Sequence, residues 1–119
     1  MTNHIEVTNF QSCIVLHVIL SGLNEDETLI LMNVLEDKIS NISGYFITIY
    51  GYEGFLVTPK SKLRAKELIK FVDSTKQSKG TIAYGASYFV RLIGALIRPS
   101  TVFTTTKEQA FKYMKERCS

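Results

Sequence analysis

Apolar and polar positions along this chain switch repeatedly between the two-residue period of strands and the 3.6-residue period of helices. Residues 4–10 alternate and residues 13–20 form a denser apolar run, which predicts an antiparallel hairpin turning near residues 9–12. Such a hairpin supplies an edge strand and a central one. Asn24 and Glu27 then make a capping-box start for a helix to about Ser40, with Leu31, Val34, Leu35, Ile39 and Ile42 on one face. Glu25, Asp26 and Glu27 suit the positive end of that helix, and as consecutive residues they fan around it instead of converging on a metal. Residues 45–50, aromatic and β-branched, predict an interior strand. Thr58 caps the next helix and Pro59 suits its first position; the helix runs from Lys60 to about Asp73 and buries Ser61, Ala65, Leu68, Ile69 and Val72. Residues 74–79 are expected to form a polar linker.

The pattern is most informative from residue 79 onward. Residues 81–84 form a short apolar run between Gly80 and Gly85, as expected for a strand covered on both faces. Ser87 is placed to cap a helix over residues 88–97, which Pro99 stops. Arg91 is its only charge. Phe89, Val90, Leu92, Ile93, Leu96 and Ile97 do not fit one stripe of about 100°, so part of this apolar surface is expected to lie outside the core. Residues 101–105 alternate as a strand, Thr105 and Glu108 suggest a capping box, and Ala110, Phe111 and Met114 form the buried stripe of a closing helix. The order is β-β-α-β-α-β-α-β-α: an α/β fold in one domain over residues 1–119, a mixed, mostly parallel sheet of about five strands with four helices.

Composition narrows function by exclusion. Hydrophobic residues make up 45% and charged residues 21% of the 119, ordinary values for a globular protein. A net charge of +3 is too small for a nucleic-acid-binding face, so no nucleic-acid partner is expected. No apolar run approaches the ~18 residues of a membrane span and no secretory leader pattern opens the chain, so the expected location is cytoplasmic. Phosphate loops, dinucleotide fingerprints, the nucleophile elbow and HExxH are all missing. No nucleophile, base and orienting group can be assembled from spacing, and neither histidine has a carboxylate or second histidine at ligand spacing. The expectation is a non-enzyme with no cofactor or metal. Cys13 reads as a core residue and Cys118 as a solvated tail residue, two cysteines being too few for a disulfide framework.

Two sites follow from the expected sheet, whose functional rim is the set of loops at the carboxyl ends of the parallel strands. A protein-docking surface, for a partner or a second copy of the chain, would combine the rim loop of residues 51–59 (Tyr52, Glu53, Phe55), the basic helix after it (Lys60, Lys62, Arg64) and the apolar helix with Ser87, Tyr88 and Arg91. Alternatively a nucleotide, lipid or anionic metabolite would sit between rim loops walled by Tyr50, Tyr52, Phe55, Tyr84 and Tyr88, with Lys60 or Arg91 meeting its charge.

The element order, the segment GASYFVRLIGALI, the strand TVFTT and the ending KEQAFKYMKER resemble the STAS-like domains related to anti-sigma-factor antagonists, in particular small stand-alone bacterial ones. Ser87, Arg91, Leu92, Ile93, Gly94, Phe103, Ala110, Tyr113 and Met114 carry that resemblance over the last third of the chain. The resemblance implies a regulatory protein that works by binding partners. In some relatives it also implies a switch, the phosphorylation of a Ser or Thr just before the helix after the third strand. Thr58 and Ser61 occupy that region here, without the Asp-Ser turn of the signalling relatives.

Overall fold

The computed structural model describes residues 2–119. Its elements are β1 (Ile5–Phe10), β2 (Cys13–Ile19), α1 (Glu25–Ser40), β3 (Tyr45–Gly51), α2 (Pro59–Thr75), β4 (Ser78–Tyr84), α3 (Tyr88–Ile97), β5 (Val102–Thr104) and α4 (Lys107–Cys118), after a short 3-10 turn at Thr2–His4. The strands form one five-stranded sheet in the order β1-β2-β3-β4-β5. β1 pairs antiparallel with β2, and every other neighbouring pair is parallel. The expected α/β order and mixed sheet are therefore present.

Strand order and handedness together place the helices. Each parallel crossover steps one strand in the same direction, and right-handed crossovers put their helices on one side of the sheet. Phe46, Leu16 and Val18 face that side and pack with Leu31, Leu35 and Ile39 of α1 and Leu68 and Val72 of α2. α4 is not a crossover and covers the opposite face, where Ala110, Met114 and Cys118 meet Val15, Ile47, Ile49, Ile82 and Tyr84. The central strands thus carry helices on both faces, and β3 is buried from Phe46 to Ile49.

Capping fixes the helix starts. Asn24 and Glu27 form the predicted reciprocal box, and Thr58 forms one with Ser61, whose hydroxyl stands in for the usual Glu. The last box lies one residue later than predicted: Thr106 is the cap and Gln109, not Glu108, bonds back. The polar stretch at residues 74–79 is also not a linker. Ser74 and Thr75 turn their hydroxyls to the carbonyls of Phe71 and Val72 and stay helical, so α2 ends at a left-handed Lys76 (φ 57°). Gln77 ties the remaining turn to the carbonyls of Ile42 and Gly44.

Candidate functional site

On the crossover side, α3 does not close onto the sheet. An apolar cavity of about 90 Å³ lies between α2, α3 and the strands β3 to β5. Thr48, Tyr50, Thr81 and Ala83 rise into it from the sheet, Ala65, Leu68 and Ile69 from α2, and Val90, Ile93 and Ile97 from α3, with Tyr52 and Phe55 at the rim. Gly94 lets α3 pass close to β5, because a Cβ there would stand 2.9 Å from the Phe103 ring tip. The single Arg in the lining is Arg98, at the end of α3, where it pairs with Asp73 of α2 at 2.9 Å.

The outer side of α3 is uncovered. Tyr88 is 74%, Leu92 48% and Leu96 80% exposed, as an apolar helix too wide for one stripe requires. The side chain of Phe89 lies outside the described residues. Ser87 caps α3 by accepting from Val90 N–H, and Arg91 is exposed. In the rim loop Leu56 is 82% exposed, Glu53 is exposed and Phe55 is buried.

The predicted rim residues therefore divide. Tyr50, Tyr52 and Phe55 line the cavity, Tyr84 faces the α4 layer, and Tyr88 points to solvent, so the five aromatics do not wall one pocket. Lys60 and Arg91 are exposed outside the lining, while Lys62 and the unforeseen Arg98 are in it. Arg64 is occupied, donating to Glu36 Oε1 at 3.0 Å and Asn33 Oδ1 at 3.1 Å, and so ties α2 to α1. Thr58 is half-buried; Ser61 is 3% exposed, with its hydroxyl inside the capping box.

The cavity changes the chemistry of its tyrosines. Burial pushes the Tyr52 phenol up to about 12. Burial raises Tyr50 too, reinforced by Tyr52 and opposed by the Arg98 charge. An unfolded tyrosine loses its proton near pH 10. Between pH 10 and 12 the unfolded chain releases a proton that folded Tyr52 keeps, so stability is fully present below pH 10 and declines as pH rises through that window. Denaturant melts followed by circular dichroism should show this fall, and Tyr52→Phe should make it shallower; an unchanged slope would mean that the phenol is solvated.

On the α4 face two pairings correct the sequence reading. His17 has a carboxylate partner after all: its Nδ1 lies 2.8 Å from Glu6 Oε1 and its Nε2 2.7 Å from Tyr84 Oη. Glu6 sits directly opposite His17 in the hairpin register. With the carboxylate accepting from Nδ1–H, Nε2 accepts from the phenol, a line of carboxylate, imidazole and hydroxyl that could pass a proton. Burial first, then the Glu53, Glu6 and Glu108 carboxylates, hold the Tyr84 phenol above its usual range. Tyr84 is 5% exposed and lies so close over Gly51 that a Cβ there would stand 2.6 Å from Oη. The line is thus packed inside the fold at His17 and Tyr84 and reaches solvent at Glu6.

Cys118, expected in a solvated tail, is 1% exposed and joined to Cys13 by a disulfide that closes a sequence separation of 105. The reason is helical spacing: Ala110, Met114 and Cys118 recur every four residues on the buried stripe of α4. Among the described residues no group of acidic, His and Cys side chains could hold a metal, and no helix is long and apolar enough to cross a membrane. No known family model matches the chain, and no curated protein matches it.

Proposed function

We propose that this protein is a non-catalytic, STAS-like regulatory module that binds another protein through the outer face of α3. The observation that carries the reading is the exposure of Tyr88, Leu92 and Leu96 on a helix whose only charge is Arg91. Leu56 and Lys60 of the rim are exposed as well. The apolar centre, with Arg91 on the helix and Lys60 at the start of α2, fits an apolar partner patch that carries carboxylates. A second copy of the chain is the alternative occupant of the same face. The resemblance to STAS-like domains supports the same reading.

A phosphoryl switch belongs at Thr58 in this account. Ser61 is buried, whereas Thr58 is half-buried at the start of α2, where a phosphate would meet the helix N-terminus and the Lys60 and Lys62 charges. Phosphorylation would also remove the hydroxyl from its capping box.

The test compares wild type with Leu92→Glu/Leu96→Glu as baits, followed by reconstitution with the purified captured protein. The double variant should fold normally and weaken the reconstituted complex by about a hundredfold, the scale of losing central apolar anchors, and rising salt should slow association of the wild type. Equal affinity for both baits would refute docking through α3. Light scattering over a dilution series tests the homodimer, which the reading predicts to be absent.

A further inference from the structure

We infer that the cavity under α3 and a basic crevice next to it form one binding site for a single-chain amphiphile, the chain in the cavity and an anionic head at Arg98. The inference does not rest on the docking reading.

The crevice holds about 190 Å³ at the end of the sheet where β4 begins. Its walls are polar: Ser78 and Lys79 of β4, Ser100 before β5, and Tyr113 and Arg117 of α4. Arg98 and Arg117 bring two cations to it, while Lys79 holds its Nζ over the Tyr45 ring at 4.5 Å, and none of the described lining residues is acidic. Thr81 and Arg98 belong to the lining of both spaces, which makes Arg98 the junction between an apolar chamber and a cationic one.

Each chamber selects one half of a ligand. About 90 Å³ of apolar cavity corresponds to roughly six to nine water-sized groups, the size of a medium alkyl chain. Thr48, Tyr50 and Tyr52 offer hydroxyls at intervals, but no charge faces the chain except at the ends, where Lys62 and Arg98 stand. Asp73 engages Nη1 of Arg98, and Asp73 itself is 58% exposed, so Nη2 and Nε remain to donate to a head group. Arg117 uses Nε on the Lys79 carbonyl at 3.0 Å, and its terminal nitrogens remain available to an anion. A nucleotide fits this division poorly, because its base would have to enter the apolar chamber without a matching set of polar partners. A carboxylate and a phosphate monoester share the head-group chemistry, so a fatty acid and an alkyl phosphate are both admissible, and the experiment separates them.

The probes are octanoate, octyl phosphate, octanol and inorganic phosphate, titrated into the full oxidised chain and followed by thermal shift and by tyrosine fluorescence, which six Tyr and no Trp make readable. At least one of octanoate and octyl phosphate should raise Tm by several degrees at saturation, and the tighter of the two names the head group. Octanol and phosphate alone should each bind at least tenfold more weakly. Arg98→Gln should weaken the charged probe about tenfold or more and leave octanol unchanged. Ala65→Leu, which fills the cavity and leaves Arg98 paired, should abolish chain binding even if Arg98→Gln proves unstable. Lys70→Gln, which removes a remote exposed charge, should bind as wild type. The inference is overturned if neither acid shifts Tm, if octanol binds as well as the acids, or if Ala65→Leu binds like wild type.

Discussion

Reducing the Cys13–Cys118 disulfide is expected to lower the unfolding free energy by about 3–5 kcal/mol, the largest single effect we foresee. The bond spans a sequence separation of 105, so it constrains nearly the whole unfolded chain, and chain-entropy cost grows with loop length. Domains of this size are commonly stable by only about 5–15 kcal/mol. Urea melts with and without a thiol-free reductant should show the midpoint falling sharply, and Cys13→Ser/Cys118→Ser should reproduce the reduced protein. Alkylation of two thiols in the native, unreduced protein would show that the bond does not form. Disulfides persist in oxidising compartments and are rare in the reducing cytosol, so the state of this pair in the cell reports the compartment. Alkylation before and after lysis of expressing cells reads its state directly.

His17→Ala should cost about 3 kcal/mol, more than a typical surface substitution by a wide margin. It removes a ring that is 3% exposed and packed edge-on against Phe111 at 5.2 Å, and it leaves the Tyr84 hydroxyl buried without its acceptor. Tyr84→Phe alone should cost about 1 kcal/mol. The two together should fall short of the sum by about 1 kcal/mol, since both remove the same bond. Strict additivity in this double-mutant cycle would mean that the 2.7 Å contact contributes nothing.

Both of these features were within reach of the sequence. Once the hairpin turn is set at Gln11 and Ser12, pairing runs outward from Phe10 and Cys13 and puts Glu6 across from His17. Glu6 lies 11 residues from His17 along the chain, and only pairing across the strands brings the two together. Cys118 lies four residues beyond Met114 and eight beyond Ala110, on a stripe already identified as buried. In a parallel α/β unit the closing helix runs back to the end of the sheet where strands begin, and Cys13 opens β2 there. The β-β-α-β-α-β-α-β-α order was legible because strand runs, caps and helix stripes agree at almost every boundary.

The cavity was not legible. Its walls come from α2, α3 and three strands, and nothing in the period of α3 says how far its inner face stands from the sheet. Arg98 was not legible for the same reason: it follows the helix it caps, and only the fold brings it within 2.9 Å of Asp73 and into the chamber wall. The exposed side of α3 could be foreseen, since more apolar residues are present than one stripe holds. Which of them face outward, Leu92 and Leu96, depended on the final seating.

Docking of a partner on the outer face of α3, as proposed, should leave a footprint in the backbone amides. The most direct measurement is hydrogen exchange by mass spectrometry on the reconstituted complex against the free protein. Added protection is expected in residues 51–60 and 88–98, with α1 and α4 unchanged. Protection centred on α4 or β1 instead, with residues 88–98 exchanging as in the free chain, would contradict it.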